Sequence, residues 1–408
     1  MRYLVQKFGG TSLVDDAKRE KVASLVLEAK QNGLLPVVVV SAIGRMGDPY
    51  ATDTLLSYAR ECQRELLPRE ADLLMSCGEI ISGVVMSTTL QKAGCPSIFL
   101  TGTQAGIITD GAHNNARILK VDPEQIIGHG REGKVVVVAG FQGVTEEGEV
   151  TTLGRGGSDT TAAALGVALN AERVDFYTDV EGIMTADPRI VADARPIEAV
   201  TYNEICQLAR EGAKVIHPRA VEIAMQKGIP LRIKCTFSEA PGTLVTSQGE
   251  LNKGAIDITR DRTITGITHI PDITRIKIRT GDAADIPDFQ GRIFKALALA
   301  GISVDFINVH PEIVLFTVKN TDSSKAVKIL ENMKIKPEVS PDCAKVAAVG
   351  AGMTGVPGVM AKIVEALATE KIQILQSADS YTTIWVLVKK EDMENSIRAL
   401  HRQFGSCH

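Results

Sequence analysis

Two runs constrain this chain more than anything else in it: Pro36-Val37-Val38-Val39-Val40-Ser41 and Lys134-Val135-Val136-Val137-Val138-Ala139-Gly140. Four β-branched residues in a row leave no polar side for a strand to turn toward water. Such strands are covered on both faces, which implies a mainly parallel sheet between helical layers. Residues 3–8 and 174–177 read as further strands, with helices between them, one ending near Asn32 and another over 67–93. Apolar residues make up 44% of the 408, enough for two or three cores. Acids and bases are interspersed around a net charge of −4, so nothing points to nucleic acid or a membrane surface. The seven cysteines show no metal-ligand spacing and read as reduced packing residues. Apolar runs such as 34–40 are too short to span a bilayer, and the first residues read as a strand rather than a leader. The expectation is a cytoplasmic protein.

Chemistry concentrates in Thr151-Thr152-Leu153-Gly154-Arg155-Gly156-Gly157-Ser158-Asp159, which runs into an alanine-rich helix. Glycines admit a ligand close to the backbone, and a helix start offers unpaired N–H groups and a positive dipole end. Arg155 adds a planar fork for a carboxylate or phosphate. Asp159 needs a cation, so a ligand carrying both signs, such as an amino acid, satisfies the whole cluster. A plain strand-to-helix turn with a polar cap is the alternative.

A second cradle stands at the start of the chain. Lys7-Phe8-Gly9-Gly10-Thr11-Ser12 links the first strand to the first helix and suits a phosphoryl group, although the spacing is not that of a Walker loop. Further on, the strand 174–177 ends in Thr178-Asp179 and a polar loop reaching Asp187-Pro188-Arg189, at the strand end where ligands of open α/β sheets collect. That tripeptide also reads as a rigid turn. Glu79 alone reads as a surface helix acid, and His217, beside Pro218, as structural.

Composition turns polar and glycine-rich from Pro241 to Gly254, which marks a boundary. Beyond it the chain repeats itself at an offset of 70: Ile293 falls on Ile363, Ala296-Leu297-Ala298 on Ala366-Leu367-Ala368, and Leu330 on Leu400. Each copy reads strand, helix, strand, strand, helix, a duplicated small α+β domain. Gly350-Ala351-Gly352-Met353-Thr354-Gly355 fits a dinucleotide fingerprint on paper. It lies inside the repeat, though, and lacks the remaining βαβ units.

Taken together, the Lys7–Ser12, Gly154–Asp159, Thr178–Arg189 and Gly212–Pro218 motifs resemble the aspartokinases across the whole chain, and the repeat is similar to their paired ACT domains. Residues 44–53 and Gln376-Ser377-Ala378-Asp379-Ser380 resemble the diaminopimelate-sensitive members from Bacillus-type bacteria. The resemblance implies an amino-acid kinase domain over 1–240, a linker over 241–262, and ACT domains over 263–335 and 340–408. It implies phosphorylation of the side-chain carboxylate of L-aspartate with ATP and Mg²⁺, the first step toward lysine, threonine and methionine. Lys7, Arg155 and Asp159 would be catalytic. Lys7, Phe8, Gly9, Gly10, Thr178, Asp179, Met184, Asp187, Arg189 and Lys214 would face ATP. Ser41, Thr52, Glu79, Arg155, Gly156, Gly157, Ser158 and Asp159 would line the aspartate pocket. An effector, diaminopimelate rather than lysine or threonine, would meet Asp285, Gly291, Asp305, Asn308, Ser377 and Asp379, in a homodimer or larger assembly joined through the ACT domains.

The implied chemistry agrees with the residues. An aspartate side chain, with an ordinary pKa of about 3.9, is already ionised at neutral pH, so the acceptor needs no base. What opposes the reaction is repulsion between two anions, which Lys7, Arg155 and helix N-termini can offset. No metal-ligand cluster is evident, so Mg²⁺ is expected to ride on the phosphates. Three rivals remain at this stage: another acceptor on the same fold, a non-catalytic amino-acid sensor, and a dehydrogenase built on the glycine fingerprint.

Overall fold

The computed structural model describes residues 1–62, 65–213, 215–247, 263–279, 288–351, 353 and 356–405. They divide into two units, Met1–Met184 with Pro196–Arg260, and Thr185–Arg195 with Asp261–His408.

The valine runs form the centre of the first unit. Leu35–Val40 pairs in parallel with Tyr3–Phe8 on one side and Val135–Ala139 on the other, and both valine quartets are buried. Around them an eight-stranded sheet runs in the order Ala199–Thr201, Thr243–Thr246, Leu231–Cys235, Arg173–Thr178, Tyr3–Phe8, Leu35–Val40, Val135–Ala139, Ser97–Leu100. Every neighbouring pair is parallel except Leu231–Cys235 with Thr243–Thr246. The strand Thr243–Thr246 lies within the stretch read as linker, so the sheet continues past residue 240. A small four-stranded sheet (Ile118–Val121, Ile107–Thr109, Gln142–Val144, Val150–Thr152) was not foreseen. Its strands, three or four residues long, are too short to show alternation.

The helix Pro68–Lys92 begins with proline at its first turn, where a missing N–H costs nothing. By length and composition it could cross a membrane, contrary to the reading that no apolar stretch is long enough. Half of it is buried in the protein, and the buried residues include Asp72 and Glu79. It is a core helix, with Asp72 and Glu79 pointing inward and Arg69, Glu70 and Lys92 exposed near its ends.

In the second unit each repeat supplies strand, helix, strand, strand, helix. The first copy is Gly266–Arg279, Phe289–Leu299, Asp305–Val309, Ile313–Lys319 and Asn320–Asn332; the second is Glu338–Val349, Val359–Thr369, Gln376–Asp379, Thr383–Lys389 and Met393–Gly405. Even backbone exceptions recur at the 70-residue offset: Asp272 and Asp342, Asp288 and Gly358, and Gly301 and Lys371 all have positive φ. The copies are not separate modules, however. The long strands Gly266–Arg279 and Glu338–Val349 pair with each other at the centre of one six-stranded antiparallel sheet. Ile264 and Ile267, from the start of the first copy, pack with Ile363, Leu400 and Phe404 of the second. Ala186 and Val191 join the same core, so residues 185–195, read as part of the first half, pack with the second unit.

The two edge strands also meet, although they stand at opposite ends of the sheet order. Gln376 donates from its amide to the Phe306 carbonyl (2.6 Å) and to the Asn308 side chain (2.5 Å). The sheet therefore rolls over a small core of Ile273, Phe306, Cys343 and Leu387. The glycine fingerprint at 350–355 follows a strand antiparallel to both neighbours, which is not the parallel βαβ geometry that a dinucleotide requires. Gly352, Thr354 and Gly355 themselves lie outside the described residues.

Candidate active site

A cavity of about 890 Å³ opens in the first unit, at the carboxyl ends of Tyr3–Phe8 and Leu35–Val40. Lys7, Ser41, Thr52 and Glu79 line it, together with the turn Gly154-Arg155-Gly156-Gly157-Ser158-Asp159. All the residues assigned to the acceptor are thus brought together, from four separate segments.

Each position has a local cause. Gly156 takes the left-handed conformation (φ 69°) as N-cap of the helix Gly157–Ala168, and a Cβ there would stand 2.3 Å from the His217 ring. His217 in turn caps the helix Pro218–Lys227 by accepting from the Arg219 N–H, and its own N–H donates to Asp159 (3.2 Å). Burial lowers the His217 pKa despite the nearby Asp159 carboxylate. A neutral, structural imidazole results. Ser158 and Asp159 fall in the first helical turn, whose N–H groups have no acceptor inside the helix.

Among the charged residues that line the cavity, which also include Arg60 and Glu65, Lys7 and Asp159 form a closed pair while Arg155 and Glu79 stand open. Lys7 Nζ and Asp159 Oδ1 stand 2.8 Å apart, each side chain about 15% exposed. Arg155 is exposed and has no ion-pair partner among the described residues. Glu79 is buried rather than at the surface, because Gly78 lets its helix approach the chain at Ala42: a Cβ on Gly78 would lie 2.8 Å from that of Ala42. One Glu79 oxygen accepts the Ala42 N–H (3.0 Å) and the other has no partner. Burial pushes its pKa up to about 8, against the lowering effect of that hydrogen bond.

The residues assigned to ATP are not all gathered there. Phe8 is buried, stacked on Tyr177 with ring centroids 4.6 Å apart, so only its backbone is available to a ligand. Asp179, just past the strand Arg173–Thr178, accepts from Thr178 and pairs with Arg45 at 3.0 Å. Met184 is half-buried and bridges to Pro196. Asp187 and Arg189 clamp each other across Pro188, which lowers the Asp187 pKa, and belong to the segment that packs with the second unit. Lys214 and Asp285 lie outside the described residues. Gly9 and Gly10 form the turn after Lys7, leading into a short 3₁₀ helix.

Among the cavity residues that sequence reasoning missed, which also include Leu56, Arg60, Glu65 and Met75, two share a backbone feature, Asn114 and Phe141. Both have positive φ, 64° and 70°, and nothing in the sequence around Phe141 announces that. The one available signal was Asn114-Asn115, since asparagine tolerates this conformation better than most. Among the described effector candidates, Asp305 pairs with Lys345 (2.6 Å) and Asn308 with Gln376, while Ser377 and Asp379 are exposed on an edge strand. Gly291 lies in the first turn of Phe289–Leu299. No group of three or more His, Cys, Asp or Glu side chains forms a metal site among the described residues.

Phosphate-sized glycine turns at parallel strand ends, beside a pocket bearing both charge signs, define a small-molecule kinase of the α/β class. Residues 2–235 match the amino acid kinase family, and residues 338–402 match the ACT domain. Aspartokinase 1 of Bacillus subtilis (strain 168) is 52% identical over 406 residues, covering 99% of both chains. Aspartokinase 2 of the same organism is 39% identical over 413 residues, covering 99% of this chain and 98% of the relative. A structure of Escherichia coli aspartokinase III in complex with aspartate and ADP superposes with a TM-score of 0.78 at 25% identity, covering 98% and 99% of the two chains. The aspartate kinase of Clostridium acetobutylicum gives 0.80 at 25% identity, covering 98% and 100%. The chain belongs to the aspartokinase family, and its activity is that of an aspartate kinase.

Proposed function

We propose that the cavity holds L-aspartate between Arg155, Asp159 and Glu79 and directs its side-chain carboxylate at the γ-phosphoryl of ATP beside Lys7. The observation that carries this reading is a single cavity faced by Lys7, Arg155, Asp159 and Glu79, the last with an unpartnered buried oxygen. Arg155 suits a substrate carboxylate, Asp159 suits its ammonium group, and the Glu79 oxygen left without a partner can accept a further hydrogen bond from it. When both substrates enter, the Lys7–Asp159 pair is exchanged: Asp159 takes the ammonium and Lys7 turns to the phosphoryl oxygens. A carboxylate oxygen forms the new P–O bond as the bond from the γ-phosphorus to the β-bridging oxygen breaks, and ADP leaves. No proton moves. The first-turn N–H groups of Ser158 and Asp159 and the Gly9-Gly10 turn stabilise the charge that accumulates between the two anions. Mg²⁺ would neutralise phosphate charge when bound, and the sparse acidic residues suit an ion held chiefly by the phosphates. Within the first unit, Thr178, Asp179 and Met184 form the nucleotide side of this reading. A coupled assay with aspartate, glutamate, carbamate and UMP as acceptors tests it, and turnover of any of the others above that of aspartate would overturn it.

The second unit is read as a feedback sensor for meso-diaminopimelate. Support comes from exposed Asp305, Ser377 and Asp379 on edge strands, where a ligand with an amino acid group at each end finds acids and hydroxyls. The E. coli aspartokinase III structure in complex with lysine and aspartate (TM-score 0.76, 26% identity) describes a relative that binds a second amino acid besides aspartate. Initial rates with lysine, threonine, both, and meso-diaminopimelate decide the matter. Inhibition by lysine, alone or with threonine, without any response to millimolar diaminopimelate would reverse the assignment.

A further inference from the structure

Behind the cavity wall lies a carboxylate with no part in the proposed chemistry. Asp72 stands seven residues before Glu79, two turns back on the same face of Pro68–Lys92, and is wholly buried. Its two oxygens collect a full set of partners: the Thr152 hydroxyl at 2.5 Å, the Asn114 backbone N–H at 3.1 Å, and His113 Nδ1 at 2.7 Å. A buried carboxylate persists only where donors replace its water, and here the donors come from separate places in the chain. One buried group thus ties together the helix, the turn at 113–114 and the strand Val150–Thr152.

That tie bears on Arg155. Thr152 stands two residues before Gly154, and its carbonyl accepts the Ala116 N–H at 2.9 Å. A Cβ on Gly154 would lie 2.9 Å from both the Asn114 carbonyl and the Asn115 side chain, so the turn that carries Arg155 rests directly on the turn that Asp72 holds. Arg219 braces the other side, donating to the carbonyls of Leu153 (3.1 Å) and Ala116 (2.8 Å). Asn114 itself lines the cavity in the left-handed conformation.

We propose that Asp72 is a positioning residue for the acceptor pocket, setting through Asn114 and Thr152 where Arg155 meets the substrate carboxylate. The inference rests on the reading that Arg155 binds the acceptor. Asp72→Asn keeps shape and one acceptor oxygen but loses the charge that gathers the donors. In the full-length enzyme it should raise the KM for aspartate at least tenfold while the KM for ATP stays within twofold. Thr152→Val, which removes one donor at nearly constant volume, should raise the aspartate KM in the same direction, and Thr152→Ser should restore it. The double variant should be no worse than Asp72→Asn alone, because both act through one tie. Equal rises in both KM values, or a lowered unfolding temperature with both KM values unchanged, would overturn the proposal. If Asp72→Asn does not fold, a wild-type aspartate KM in Thr152→Val does the same. Arg155→Gln separates the two ideas. An unchanged aspartate KM in that variant removes the pocket reading and this proposal with it; a raised one beside silent Asp72 and Thr152 variants removes the positioning role alone.

Discussion

Two lysine–aspartate pairs, one in each unit, look alike by distance and differ in everything else. Lys7 and Asp159 stand 2.8 Å apart at a cavity wall, both partly exposed to the same degree. Lys345 and Asp305 stand 2.6 Å apart, but the lysine is only 5% exposed and packs over the Trp385 ring, whereas the aspartate is 63% exposed. In the first pair either member can be drawn away by a ligand of the right sign, since water and substrate reach both. The second is lopsided: the cation is fixed and only the anion faces solvent. A pair open at both ends suits turnover, in which contacts must be made and released in every cycle. A pair anchored at one end suits a position that is occupied or vacated without disturbing the core beneath it.

The sharpest way to break this comparison is to remove Lys7. Lys7→Ala should lower kcat by about 10²–10³, the effect of losing one preorganised donor worth about 3–4 kcal/mol. Steady-state turnover above half of wild type would show that the amino group serves only to neutralise Asp159. Next in size is Asp159→Asn, which should raise the aspartate KM by roughly ten- to a hundredfold, the value of one charge-assisted hydrogen bond. The ATP KM should stay within about threefold; a rise of equal size in both would place the residue on the nucleotide. On the other side of the comparison, Asp305→Asn should leave kcat and both KM values near wild type. It should also raise the effector concentration for half-inhibition by about fivefold or more, within the usual range of coupling energies. Unchanged inhibition would mean that Asp305 serves the fold alone.

The last effect, on stability rather than turnover, is a pH dependence. The Glu79 pKa rises from 4.5 to about 8 on folding, so between those values the folded chain keeps a proton that the unfolded chain has lost. Stability from this residue therefore falls as pH rises from about 4.5 to 8, the reverse of a salt-bridged acid. Glu79→Gln should gain on wild type across that window, by roughly ten degrees in thermal midpoint at pH 8 and by nothing near pH 4 (about 1.4 kcal/mol for each pKa unit and about 2–4 °C for each kcal/mol). A constant difference at all pH values would mean that Glu79 is ionised in the fold.

How legible these features were in the sequence follows from the range of the forces behind them. The valine runs declare the parallel sheet because burial on both faces is written into consecutive residues. The Gly154–Asp159 turn declares a ligand because glycines, a cation and an acid crowd six positions. Glu79 was misread as a surface acid because its burial depends on Gly78 meeting Ala42, a contact between distant segments. One clue stood in the helix itself: Asp72 and Glu79 occur seven apart in an otherwise apolar stretch, and so share a face. Phe141 could not be found, and Asn114 only through its pairing with Asn115, since a left-handed backbone leaves almost no mark on composition. The 70-residue offset showed the repeat but not its sharing of strands, because self-similarity says nothing about which copy a residue packs against.

That sharing decides when the protein can finish folding during its synthesis. The core containing Ala186 and Ile264 is closed by Leu400 and Phe404, in the final helix. While the chain is still threading through the ribosome, those early apolar residues have no final partners and wait for the last turns to emerge. The second unit therefore cannot complete its core until residues 393–405 have been made, and nascent chains stalled before residue 393 would expose an unfinished core to chaperones and proteases.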